Sequence, residues 1–90
     1  MDTITIVYVE HWSVVDEYYD DVGLYRYRTI NSNSKIRKIF YKLDDAINYI
    51  NSVPNQSWPP EYDELQQSPS DERYDDAKGF FLYQKQYPIE

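Results

Sequence analysis

Cysteine is absent, glycine occurs at two positions and histidine at one, and each scarcity removes a class of chemistry. Without Cys there are no disulfides and no thiolate metal centres, a composition that suits a reducing compartment and makes the cytoplasm the expected location, a host's cytoplasm if the chain is viral. Gly23 and Gly79 stand apart from any Gly-rich motif, so no loop can cradle phosphates and no nucleotide cofactor is expected. A Ser-His-Asp relay would have to run through His11, and no nucleophile motif surrounds any serine. No apolar run approaches the roughly 18 to 20 residues of a membrane span, and Met-Asp-Thr-Ile-Thr-Ile lacks the basic start of an export signal. A soluble, unexported chain is the expectation.

Basic residues are missing from the first 22 positions and acidic residues from the next 20. Met1 to Val22 holds six carboxylates and no Lys or Arg, whereas Gly23 to Lys42 holds six basic residues and no acid. Leu43 to Lys78 returns to acid, with nine carboxylates against Arg73 and Lys78, and the net charge is −7. Sorting of this kind suits electrostatic encounter with a charged partner, or a basic element neutralised inside the fold. Net acidity argues against broad attraction to nucleic acid or anionic lipid.

Ninety residues have surface for one small core, so 1–90 is read as a single domain with a long acidic, Pro-containing excursion at 55–79. Eleven tyrosines make that core partly aromatic, with hydroxyls near water or a partner. Free use of Ile, Tyr, Asn and Asp beside two Ala is a bias associated with AT-rich genomes, which many bacterial viruses and mobile elements share with many bacteria.

Thr3 to Glu10 sets Ile4, Ile6 and Tyr8 on one face and Thr5, Val7 and Val9 on the other, which predicts a central strand covered on both sides. Val14 to Asp21 fits a helical turn or an extended segment leading to a turn at Asp21-Val22-Gly23. Leu24 to Ile30 and Lys35 to Lys42 read as two strands joined by Asn31-Ser32-Asn33-Ser34, a cluster of turn formers of hairpin length. Closing that loop sets Arg28 opposite Arg37 and gathers Arg26, Arg28, Lys35 and Arg37 on one face, with Tyr25, Tyr27, Ile36 and Phe40 on the other. Arg28 and Arg37 then need carboxylates beside them, from this chain or a partner.

Leu43, Ala46, Ile47, Ile50 and Val53 form one helical stripe, with Asp44 and Asp45 in the first turn and Pro54 ending the helix. Short helical turns are expected at Pro60 to Gln67 and Ser70 to Lys78 within the excursion. Phe80 to Ile89 alternates as a closing strand. The expected fold class is α+β: a small antiparallel sheet of three to four strands with one main helix packed on one face.

The acid pairs Asp16-Glu17, Asp20-Asp21, Asp71-Glu72 and Asp75-Asp76 could attract a hard cation, but none matches an EF-hand loop, and no metal site is expected. Paired carboxylates acting on a glycoside would need a pocket that a core this small leaves little room for. The chain is therefore read as no enzyme, and as using no cofactor.

Carboxylates at i and i+4 of a helix, or i and i+2 of a strand, lie roughly 6 Å apart, about twice the charge spacing of one nucleic-acid strand. A rigid acidic surface could thus occupy the groove of a basic nucleic-acid-binding protein. The candidates are Asp16, Glu17, Asp20, Asp21, Glu61, Asp63, Glu64, Asp71, Glu72, Asp75 and Asp76, with Tyr18, Tyr19, Trp58, Tyr62 and Tyr74 as aromatic anchors. The expected function is a non-enzymatic protein-binding module, in its sharper form a virus- or mobile-element-encoded inhibitor of the anti-CRISPR type, by analogy of type alone. The alternatives are an RNA or single-stranded DNA binder using Arg26, Arg28, Lys35 and Arg37, or a bacterial domain that forms a homodimer through an exposed strand. No membrane partner is expected, and direct nucleic-acid binding is the less expected mode.

Overall fold

The computed structural model describes residues 2–19, 26–61, 65 and 74–89, the side chains of 16–19, 26 and 27 excepted. Strand β1 (Thr3–Tyr19), strand β2 (Arg26–Phe40), helix α1 (Leu43–Ser52) and strand β3 (Lys78–Pro88) follow one another along the chain. All pairing is antiparallel in the order β2-β1-β3, with the helix against the sheet, so this is an α+β fold with β1 as its central strand.

The predicted Asn31–Ser34 hairpin does not form. Those four residues belong to a single 15-residue strand, placed opposite β1 as Ser13↔Asn31, Trp12↔Ser32, His11↔Asn33 and Glu10↔Ser34. Turn chemistry loses here to pairing, because β1 stays extended through Val14 and Val15 to Tyr19 and offers backbone partners along its whole length. The polar side chains cost little, since all four are exposed, and Ser34 Oγ donates to Glu10 Oε1 at 2.8 Å. Of the two readings of Val14 to Asp21, the extended one holds as far as Tyr19; the Asp21-Val22-Gly23 turn lies outside the described residues.

The register slips at two places, Val7/Tyr8 and Asp16/Tyr18; at the first, β2 passes from Lys38 to Ile36 and Arg37 is the extra residue of a bulge. An extra residue reverses the alternation beyond it. Phe40 and Lys38, opposite Thr5 and Val7, therefore share the helix side, while Ile39 and Ile36, opposite Ile6 and Tyr8, both share the other. Thus the four basic residues predicted to line one face do not: Lys35 lies opposite Val9 on the helix side, and Arg28 lies opposite Asp16, in phase with Val14 and Trp12, on the far side.

Two small cores form on opposite faces at opposite ends of β1. Val7, Ala46 and Leu82 are buried together under α1, with Phe40, Tyr49, Ile50, Val53 and Phe80 around them. Trp12, Val14 and Leu65 make the second, flanked by Ile30, Tyr74, Ala77 and Phe81. Val7 and Trp12 are an odd number of residues apart, which puts them on opposite sides of one strand. In the helix, Ile47 is 39% exposed and leaves the predicted stripe; Tyr49 takes its place, its ring 5.5 Å from that of Phe40. Its hydroxyl accepts from Arg37 Nε at 3.0 Å, so a phenol rather than the predicted carboxylate meets Arg37.

After Pro54 the chain must pass from the helix layer to the second core, and it does so over the outer edge of β3. Asn55 takes a left-handed φ of 65°, after which Gln56 Nε2 caps Ile50 O at 2.7 Å and Val53 O at 3.0 Å while its Oε1 accepts from Leu82 N at 2.8 Å. Ser57 N donates to Phe80 O at 2.8 Å, and Trp12 Nε1 donates to Ser57 O at 2.9 Å. Gly79 is required at this crossing: a Cβ there would run into Ser57 Oγ and lie 2.8 Å from the Trp12 ring. Among the described residues, no helix is long and apolar enough to cross a membrane.

Candidate functional site

The acidic excursion is pinned to the sheet at several points. Leu65 is buried in the second core, and Val14 N donates to Ala77 O at 2.8 Å. Arg28, 1% exposed, sends Nη2 to Asp75 Oδ1 at 3.0 Å, and its guanidinium lies 5.9 Å from the centre of the Tyr74 ring. A buried guanidinium needs such a partner, since an unpaired charge out of water is strongly unfavourable. The carboxylate expected beside Arg28 therefore comes from the chain's own excursion, 47 residues away. Asp76, next along, is exposed with a φ of 57°, a conformation Asp tolerates.

Of the other predicted acidic residues, Glu61 is exposed and its carbonyl accepts from Leu65 N at 3.3 Å. The backbones of Asp16, Glu17, Tyr18 and Tyr19 form the last part of β1 beside Arg28, Tyr27 and Arg26. Asp20, Asp21, Tyr62, Asp63, Glu64, Asp71 and Glu72 lie outside the described residues, as does most of the two helical turns expected around them. The predicted anchors divide. Trp58 is 66% exposed, its indole stacked on Phe81 with centroids 5.8 Å apart, whereas Tyr74 is half-buried and serves the fold, its ring against the Arg28 guanidinium.

Arg28, sealed beneath Asp75 and Tyr74, is out of reach of a phosphate. Lys35 and Arg37 are exposed, but Arg37 is turned to Tyr49 on the helix side. Among the described residues, Asp75 and Asp76 accompany the second core with Lys78 nearby, and Lys35, Arg37, Lys38 and Lys42 lie toward the helix end with Asp44 and Asp45 of α1.

A feature the sequence did not point to is the open half of the sheet face opposite α1. Trp58, Phe81, Tyr83 and Tyr8 succeed one another along it: Phe81 and Tyr83 centroids are 6.0 Å apart, and Tyr83 and Tyr8 stack at 5.2 Å with planes 17° apart. The Tyr8 and Tyr87 hydroxyls share a hydrogen bond of 2.8 Å. That bond, then burial, raises the pKa of the Tyr8 hydroxyl above the ordinary tyrosine value. Ile36 and Ile39 complete the patch at 60% and 55% exposure. Because the stacked rings spend their faces on one another, they present edges and hydroxyls outward, a surface better suited to a protein than to stacking bases. The alternation of Phe81 and Tyr83 was legible; the bulge that brings Ile36 and Ile39 to the same side was not.

A cleft of about 420 Å³ lies beside His11, Trp12, Ser13, Lys78, Gly79 and Phe80. Among the described residues, no carboxylate lines it. Among the described residues, no three of His, Asp or Glu converge where a metal ion could sit. No protein-family model, curated protein or solved structure matches the chain.

Proposed function

We propose that this chain is a non-enzymatic protein-binding module whose acidic end engages a basic, nucleic-acid-binding partner protein. In its sharper form it is an inhibitor, encoded by a virus or mobile element, that occupies the partner's nucleic-acid groove as a charge mimic. One observation carries this reading: the Arg28–Asp75 pair, with Leu65 and Ala77, fastens the acidic excursion to the sheet. Asp76, next to that pair, therefore stands on a fixed support, and a preorganised charge binds at lower entropic cost than one on a loose tail. The exposed Trp58 on the same face supplies an aromatic group of the kind that dominates interfaces. The alternative of RNA or single-stranded DNA bound by Arg26, Arg28, Lys35 and Arg37 is weaker, because Arg28 is buried and the group is split between two faces.

The test is affinity capture from nuclease-treated host lysates, comparing the natural chain with Glu61→Lys/Asp76→Lys. Both positions are exposed, which spares the Arg28–Asp75 pair. The expected result is one basic protein retained after nuclease, released by moderate salt and lost with the variant. Retention that survives the charge reversals, or that disappears with nuclease, would refute the proposal.

A further inference from the structure

The sheet is covered unequally. On its helix side α1 shields Val7 and Leu82, and at the far end of the opposite side the second core shields Trp12 and Val14. Between Ile4 and Glu10 on that opposite side, Ile6, Tyr8, Ile36, Ile39, Tyr83 and Tyr87 are wholly or partly open to water. A sheet face of this composition is normally buried against a second layer. Ile36, Ile39 and Tyr87 are 60%, 55% and 37% exposed. A specific interface needs on the order of 1,000 Å² buried in total, about 500 Å² from each copy.

Charge selects the occupant. In the four cross-strand rows from Ile4 to Glu10, the charged side chains on this face are Lys85, paired with Ile6, and Glu10, paired with Phe81. One cation and one anion, four residues apart along the strand direction, make the patch complementary to itself. A two-fold axis nearly perpendicular to the strands, passing between Tyr8 and Tyr83, carries the position of Lys85 onto that of Glu10 and brings Ile39 close to Ile36 of the other copy. A partner with a rim of one sign would leave one of the two charges unmatched.

The strand edges suit self-association less. Gln56 and Ser57 already occupy the outer edge of β3 at Leu82 and Phe80, and β2 carries a bulge at Arg37 between Lys35 and Lys38, which blunts an edge against pairing. We propose that two copies of this chain pack their open sheet faces together about that two-fold axis, closing a sandwich with the helices outside and Lys85 of each copy over Glu10 of the other. This pairing does not rest on the acidic end binding a partner.

Sedimentation velocity between about 1 and 200 µM tests it. The natural chain is expected to shift from monomer to dimer across that range. Ile36→Glu with Ile39→Glu, at positions already exposed and so with an unchanged circular dichroism spectrum, should raise the dimer dissociation constant at least tenfold, to about 1.4 kcal/mol weaker binding or beyond. Lys85→Glu and Glu10→Lys should each weaken the dimer, and the double swap should restore it. A chain that stays monomeric throughout, a dimer indifferent to the two isoleucine changes, or a double swap without rescue would overturn the proposal.

Discussion

Asp75→Ala should destabilise the fold far more than an ordinary surface substitution, although Asp75 itself is partly exposed. The reason is its partner: the Arg28 side chain is fully buried, while 38% of the Asp75 side chain remains in contact with solvent. Removing one member of a wholly buried ion pair costs about 3 to 5 kcal/mol, and the solvent already around Asp75 lowers the expectation to about 2 to 3 kcal/mol. Arg28→Met removes the charge that needs compensation, keeps most of the buried stem, and releases Asp75 to water. It should cost only about 1 kcal/mol. With a urea slope of about 1 kcal/mol/M for a domain of this size, the midpoint falls by about 2 to 3 M for Asp75→Ala and about 1 M for Arg28→Met. Once Arg28 is Met, adding Asp75→Ala should change little, a coupling of about 2 to 3 kcal/mol. An Asp75→Ala cost below about 0.5 kcal/mol, or one smaller than that of Arg28→Met, would refute the placement of Arg28 as a buried charge dependent on Asp75.

Three further outcomes follow from the fold. Gly79→Ala should cost about 1 to 3 kcal/mol in urea melts, because its methyl group would press on the buried Trp12 ring where the chain crosses the β3 edge; an unchanged midpoint would contradict that crossing. Asn33→Thr should stabilise by up to about 1 kcal/mol because Asn33 is an exposed strand residue opposite His11, whereas destabilisation would favour the rejected hairpin loop. In alkaline titration followed by tyrosinate absorbance, Tyr8 should ionise later than an ordinary tyrosine, and Tyr87→Phe should bring it down. The folded chain holds this proton more tightly than the unfolded chain. The associated stability is thus intact below the ordinary tyrosine pKa and is lost as pH rises through the folded value; a Tyr8 titration unmoved by Tyr87→Phe would contradict the shared hydrogen bond.

Local patterns revealed the elements whose partners are themselves patterned. The alternation from Thr3 marked β1, the 3,4 spacing from Leu43 marked the helix, and Phe80 to Ile89 marked β3, so the α+β class and the central position of β1 could be read in advance. What failed depended on contacts distant in sequence. Asn31 to Ser34 have turn chemistry, and only the long β1 beside them keeps them extended. Ile47 and Tyr49 both fit a helical stripe, and the ring of Phe40 together with Arg37 decides for Tyr49. Arg28 looked like one member of a basic face. Its burial depends on Asp75, 47 positions away, and on a continuous strand phase that no local window contains. The open tyrosine face was hidden for a similar reason, since a single bulge residue, Arg37, determines whether Ile36 joins Ile39.

Competition on the captured partner tests the central claim most directly. The partner's own nucleic acid, labelled, would be bound to it and titrated with this chain while anisotropy is followed. Displacement that weakens as salt rises and is lost with Glu61→Lys/Asp76→Lys is the predicted result; a ternary complex with undiminished nucleic-acid affinity would contradict it.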